Sequence, residues 1–202
     1  MKRRVGIMGG TFDPIHNGHL VLGGEAYRQF LLDEVVFMPT GIPPHKANQR
    51  IADAVDRKHM VELAVAGTSY FSCSDMELVR HRTTYTAETL TLLKKENPET
   101  DYYYIVGADS LDQMDGWYCP EVIFEKAVIL AAMRETQTVR EFSNAKKMLE
   151  EKYKASIYLL KCPMMPISSS QIRVSIKENI SVEKYLPQSV WEYIKKKKLY
   201  LP

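Results

Sequence analysis

Cysteine is scarce: Cys73, Cys119 and Cys162 are the only three in 202 residues, far apart and without a Cys-x-x-Cys pair. That spacing argues against a disulfide framework and against a zinc site, and it makes a reducing cytoplasm the expected setting. Long apolar runs are also lacking. The best, Val128 to Met133, falls well short of the ~20 residues that a membrane-spanning helix needs and reads as a buried strand. The basic start Lys2-Arg3-Arg4 leads into an apolar segment broken at Gly9-Gly10 and again at Asp13, so no signal peptide is expected. Charge of one sign is missing too. With 27 basic against 25 acidic residues the net charge is +2, too small to point to nucleic acid or an anionic membrane as partner. Internal repeats, low-complexity tracts and interdomain linkers are absent from the sequence.

What is present is an alternation. Apolar segments near 4 to 8, 34 to 38, 70 to 74, 102 to 106, 127 to 132 and 156 to 160 read as strands, with helical patterns between most of them. That is the pattern of an α/β protein with a parallel sheet. A length of 202 residues with 45% hydrophobic content allows one domain, 1–202, with a substantial core. Its last part, about 163–202, is expected to form a small helical subdomain. Lys195 to Lys198 close the final helix after Trp191 and Tyr193, and cations there suit the helix dipole better than they suggest an RNA-binding patch.

One stretch stands out from this background. Gly9-Gly10-Thr11-Phe12-Asp13-Pro14-Ile15-His16-Asn17-Gly18-His19 puts two glycines and two histidines directly after the strand that holds Val5 and Ile7. Gly9-Gly10 is expected to break the strand in a turn that tolerates positive φ and lets a polyphosphate approach closely. From Asn17 to Phe30, apolar groups at Leu20, Ala26, Tyr27 and Phe30 suit a helix with His19 in its first turn. A helix start attracts anions through free N–H groups and the macrodipole. His16 and His19 are three apart and share a face if the helix begins near His16, so both can donate to phosphate oxygens. A lone histidine there would read as a cap or a packed ring. Two of them beside a glycine pair read as a phosphate site, although the stretch is neither a P-loop nor Gly-x-Gly-x-x-Gly.

A second element lies far along the chain. Ile167-Ser168-Ser169-Ser170-Gln171-Ile172-Arg173 sets three hydroxyls before an expected helix start and an arginine within its first turn. Serines cap free backbone N–H groups, and the planar guanidinium fork matches phosphate oxygens as a lysine does not. Alone, the segment would be an ordinary serine cap with a surface arginine. Paired with the first stretch, it reads as a polyphosphate site.

These motifs carry a resemblance. His-x-Gly-His preceded by Gly-Thr-Phe-Asp is similar to the signature of the nucleotidyltransferase superfamily, whose members share a Rossmann-like domain with class I aminoacyl-tRNA synthetases. The segment from Ile167 to Arg173 resembles the Ile-Ser-Ser-Thr/Ser-x-Ile-Arg element that closes over the triphosphate in bacterial adenylyltransferases. Pro39-Thr40-Gly41-Ile42-Pro43-Pro44-His45-Lys46, Thr84 to Leu90, Gly107-Ala108-Asp109-Ser110 and Trp117-Tyr118 narrow it to the bacterial nicotinate mononucleotide adenylyltransferase family. The resemblance covers most of the chain and implies a Rossmann-like parallel sheet with helices on both faces.

It also implies roles. His16, His19 and Arg173 would be catalytic, with Gly9, Gly10, Thr11, Phe12, Gly107, Asp109, Ile167, Ser168, Ser169 and Ser170 binding ATP. Lys46 would meet substrate phosphate, Trp117 would stack on the pyridine ring, and amides near Thr86 and Tyr118 would meet the nicotinate carboxylate. A desolvated pyridinium over an indole gains roughly 1 to 2 kcal/mol. Mg²⁺ would travel on the ATP phosphates, since no carboxylate cluster looks like a dedicated cage. The partners implied are ATP and nicotinate mononucleotide, with no nucleic acid or membrane, and a homo-oligomer is left open.

Read on their own, these residues are less specific. Trp117 could pack in a core, but Asp115, Gly116 and Cys119-Pro120 around it suggest a loop, with Cys119 a passive neighbour. Thr86 could cap the helix that Glu88, Leu90, Leu92 and Leu93 imply, and that role is compatible with binding. Lys46 follows two prolines in a stiff loop, and Asp109 follows the strand Tyr102 to Val106 at the carboxyl edge of the sheet. Two departures from the family pattern occur. Arg80-His81-Arg82-Thr83 replaces a glycine-containing turn, and Glu88 stands where Asp is frequent. The rival readings are a sibling transferase acting on another acceptor and a nucleotide-binding or RNA-binding module without turnover.

Overall fold

Val, Ile and aromatic residues, which suit a pleated and buried surface, form the strands, and the interrupted amphipathic runs form the helices. In the computed structural model the described residues are 2–41, 51–80, 82–133, 138–163 and 166–201, with the backbone alone described at 108 and 109. Chain order is β1 (Arg4–Gly10), α1 (Asn17–Phe30), β2 (Glu34–Pro39), α2 (Ala54–Val65), β3 (Phe71–Cys73), α3 (Thr86–Glu96) and β4 (Asp101–Gly107). Then follow α4 (Ala108–Leu111), α5 (Pro120–Lys126), β5 (Ala127–Ala132), α6 (Val139–Tyr153), β6 (Ile157–Leu160), α7 (Ser169–Lys177) and α8 (Gln188–Lys197). Each expected strand is present, and α1 has the expected bounds.

The six strands form one sheet in the order β3-β2-β1-β4-β5-β6. The pairs β1/β4, β4/β5 and β5/β6 are parallel, with Val5 opposite Tyr102, Tyr104 opposite Ile129 and Ile129 opposite Ile157. This is the strand order of a Rossmann-like fold, and it reverses direction between β1 and β4, where open α/β sheets bind ligands beyond the strands' carboxyl ends. Ile129, Leu130 and Ala131 are fully buried in β5, as a strand covered on both faces requires.

The chain separates into two compact units. One comprises residues 1–9, 22–36 and 85–164, the other 10–21, 37–84 and 165–202. The first holds most of the sheet, with a core that includes Val5, Ile7, Leu90, Ile105, Ile123 and Leu130. The second holds the end of β2, where the Phe37 carbonyl accepts from the Ser74 amide beyond β3. Its core gathers Phe12, Phe37, Met60, Val61, Ile172, Val190 and Ile194. Among the described residues no helix is long and apolar enough to cross a membrane.

Candidate functional site

In the second unit the stretch after β1 supports a pair of imidazoles. β1 runs through both glycines to Gly10, whose carbonyl accepts from the Thr40 amide at 2.8 Å. Among the described residues no glycine has a positive φ. That conformation falls on Phe12, at 49°. The expected left-handed glycine turn is therefore corrected: the glycines provide room. A Cβ on Gly10 would stand 3.1 Å from the Phe12 ring, and, within the first unit, one on Gly9 would stand 2.8 Å from the Tyr104 hydroxyl.

Phe12 is 2% exposed and sits edge-on to His19, with ring centroids 5.1 Å apart, and 6.0 Å from Phe37. His16 directly precedes α1. Its ring lies 3.8 Å from that of His19 at 32°, its amide donates to His19 Nδ1 at 3.2 Å, and its carbonyl accepts from the His19 amide at 2.9 Å. With Nδ1 accepting, a neutral His19 carries its proton on Nε2 and offers it as a donor. The two histidines are thus brought together at a helix start, as their spacing implied.

The serine segment belongs to the same unit. Ser168 is the N-cap of α7: its Oγ accepts from the Gln171 amide at 3.2 Å and donates to Gln171 Oε1 at 3.0 Å. Ser169 Oγ donates to the Pro14 carbonyl at 2.8 Å, tying α7 to the histidine stretch. Ser170 stays exposed, and Ile167 precedes the cap in irregular chain. Arg173 is the fifth residue of α7, in its second turn and not its first, because the helix begins as early as Ser169. It reaches back by Nη1 to the Asp13 carbonyl at 2.7 Å, while Nη2 lies 3.4 Å from Ser170 Oγ. Arginine, serine hydroxyls and the histidine pair thus belong to one connected set.

The first unit holds the aromatic residues. A short 3₁₀ turn, Met114–Gly116, delivers Trp117 in extended backbone, followed by exposed Tyr118 and by Cys119 at φ 48°, which precedes Pro120 at the start of α5. Asp115 anchors this loop by accepting from Lys152 Nζ at 2.6 Å and Tyr153 Oη at 2.7 Å. Lys152, then Tyr153, hold its carboxyl below the usual range. Tyr104 of β4 meets Trp117 edge-on at 6.2 Å and shares a 3.2 Å hydrogen bond with Thr86 Oγ1. Tyr85 and Tyr118 rings pack at 4.6 Å. Thr86 is not the cap of α3 but its first residue. The N-cap is Tyr85, which makes no side-chain cap.

Gly107 ends β4, and Asp109 falls in α4 with its side chain outside the described residues. Lys46 lies wholly outside them, as does His81. Among the described residues no group of three His, Cys, Asp or Glu is placed to hold a metal ion. Residue types missed four participants: Asp13, Arg57, Tyr104 and Tyr200. Arg57, 2% exposed on α2, donates to the carbonyls of Thr11, Thr40, Gly41 and Ala52 at 2.7 to 3.1 Å, and burial lowers its pKa. Nothing in the local sequence separates it from a surface arginine.

Known proteins are similar to this chain. A family model described as cytidylyltransferase-like matches residues 7–175. A protein of Lachnoclostridium phytofermentans named probable nicotinate-nucleotide adenylyltransferase is 45% identical, over 98% of this chain and 100% of its own. One of the same name from Clostridium kluyveri is 41% identical, over 96% and 97%. Among solved structures, the Plasmodium falciparum nicotinic acid mononucleotide adenylyltransferase complexed with NaAD superposes with a TM-score of 0.81 at 19% identity, over 98% of this chain and 97% of that one. The same enzyme complexed with APC gives 0.78 at 19% identity, over 98% and 97%. The solved structures share the fold, and the sequence relatives carry the family. The chain belongs to the nicotinate-nucleotide adenylyltransferases, within the cytidylyltransferase-like nucleotidyltransferases.

Proposed function

We propose that this chain transfers the adenylyl group of ATP to nicotinate mononucleotide, releasing pyrophosphate and forming deamido-NAD in NAD biosynthesis. The observation that carries the reading is the His16–His19 pair: two imidazoles 3.8 Å apart at the start of α1, with His19 held as an Nε2 donor. A phosphate oxygen of nicotinate mononucleotide attacks the α-phosphorus of ATP in line, the bond to the β-phosphate oxygen breaks, and pyrophosphate leaves. The nucleophile is already anionic, so no general base is needed. Catalysis consists of positioning two polyanions and stabilising charge on the transferring group.

His16 and His19 serve the transferring phosphate, and Arg173 with Ser168, Ser169 and Ser170 holds the β- and γ-phosphates. The Ser168 and Ser169 hydroxyls donate within the protein and Ser170 Oγ accepts from Arg173 Nη2, so the contribution of the segment falls to the Ser170 O–H proton and to the amides of the first turn of α7. Gly9, Gly10, Thr11, Phe12, Ile167 and Gly107 complete the ATP contacts, with Asp109 on the ribose. Trp117 stacks on the pyridine ring, and Lys46 meets the phosphate of the acceptor. Amides at Thr86 and Tyr118 read the carboxylate. The uncapped start of α3 supports this last role, because its first amides lack the side-chain acceptor that α7 has. ATP enters as its Mg²⁺ complex, a reading consistent with the donor set, and the reaction belongs in the cytoplasm.

Pyrophosphate release with MgATP and either nicotinate mononucleotide or its amide counterpart tests the proposal. Preference for the acid by more than about tenfold is expected. Equal use overturns the specificity assignment, and no release with either overturns the transferase assignment.

A further inference from the structure

The tyrosine near the end of the chain reaches back to the histidine stretch. Tyr200 Oη donates to Asp13 Oδ1 at 2.7 Å across 187 residues of sequence, and the Ala52 amide donates to the same oxygen at 3.1 Å. Asp13 is 2% exposed. With Oδ1 held from two sides the plane of the carboxylate is set, and Oδ2 lies 3.5 Å from Arg173 Nη1, which also donates to the Asp13 carbonyl. Arg173 thus meets both the main chain and the side chain of one buried residue.

The end of α8 aims Tyr200. Lys198 terminates that helix in left-handed backbone, the Leu199 amide returns to the Ile194 carbonyl, and Tyr200 itself has φ 64°. Burial and the Asp13 carboxylate push the Tyr200 hydroxyl far above its ordinary pKa, so it stays a proton donor at neutral pH.

We infer that Asp13 and Tyr200 are positioning residues for Arg173: the tyrosine orients the carboxylate, the carboxylate orients the guanidinium, and the arginine meets the triphosphate already ordered. An arginine side chain has many rotamers to lose, so fixing it before ATP arrives removes part of the cost of binding. The last residues of the chain thereby act on nucleotide binding through a chain of two contacts. This inference rests on the assignment of Arg173 to the β- and γ-phosphates.

The test is steady-state kinetics of the full chain, varying MgATP and nicotinate mononucleotide separately, for Tyr200→Phe, Asp13→Asn, Arg173→Ala and the double variant Tyr200→Phe/Arg173→Ala, each with its Tm. Tyr200→Phe keeps the ring and removes one hydroxyl. It is expected to raise KM for ATP about tenfold, with KM for nicotinate mononucleotide changed less than about twofold, and to add nothing in the Arg173→Ala background. Asp13→Asn should show the same split and serves alone if the tyrosine variant fails to fold. Loss of kcat and Tm with KM for ATP unmoved, or failure of both variants to fold, would overturn positioning in favour of a purely structural contact. If Arg173→Ala is impaired while Tyr200→Phe is unaffected, the inference alone fails. If Arg173→Ala is itself unaffected, the assignment of Arg173 fails and the inference with it.

Discussion

At the scale of single residues, the site is built from donors whose orientation is set by a neighbour. His19 is the clearest case: the His16 amide occupies its Nδ1, and the Phe12 ring packs edge-on to it. Removing one preorganised donor to a developing charge costs on the order of 10² to 10³ in kcat. His19→Ala is accordingly expected to lower kcat by about that factor with little change in Tm, read by pyrophosphate release beside thermal unfolding. Unchanged kcat in a folded variant would remove His19 from the mechanism. The histidines were legible because two ring donors three residues apart at a helix start have few other uses. Asp13 and Arg57 were not, because their importance comes from being buried, and burial is not written in the residue type. The glycines were read as a strand-breaking turn with positive φ, whereas β1 runs through both of them and what surrounds them is Phe12 and Tyr104, packing that local sequence does not show.

At the scale of elements, helix starts differ in their caps. α7 is capped by Ser168 and α6 by a reciprocal Thr138 and Glu141 box, whereas α3 begins after Tyr85 with no side-chain cap. A cap stabilises a helix and consumes one amide, and the remaining first-turn amides stay available to an anion. Ser168→Ala is expected to cost about 1 kcal/mol of stability, measured by urea unfolding, and to leave the Ser169–Pro14 tie in place. A change smaller than about 0.3 kcal/mol would show that Ser168 is not a working cap. The helix over 17 to 30 could be read from its apolar period. The arginine's turn could not, because whether α7 starts at Ser169 or Ser170 depends on which serine is the N-cap, and here Ser168 takes that place with its hydroxyl on the Gln171 amide.

At the scale of the whole molecule, β5 sits inside the sheet between β4 and β6, with Ile129 and Leu130 both 0% exposed on its alternate faces. Leu130→Ala is expected to cost 2 to 5 kcal/mol by chemical denaturation, as buried leucine deletions do, with KM values unchanged in the fraction that remains folded. A cost below about 1 kcal/mol would mean that this strand is not the packed centre the burial describes.

The sequence by itself determined the strands, the α/β class and the identity of the histidine and serine segments, because periodicity, histidine spacing and hydroxyl-before-helix patterns are local properties of the chain. Only the tertiary structure decided the strand order, the seat of Trp117 against Tyr104, and the convergence of Asp13, Arg57, Arg173 and Tyr200. Those contacts join residues from 13 to 187 positions apart, and their energies depend on burial and on which donor meets which carbonyl, quantities that exist only once the chain has folded.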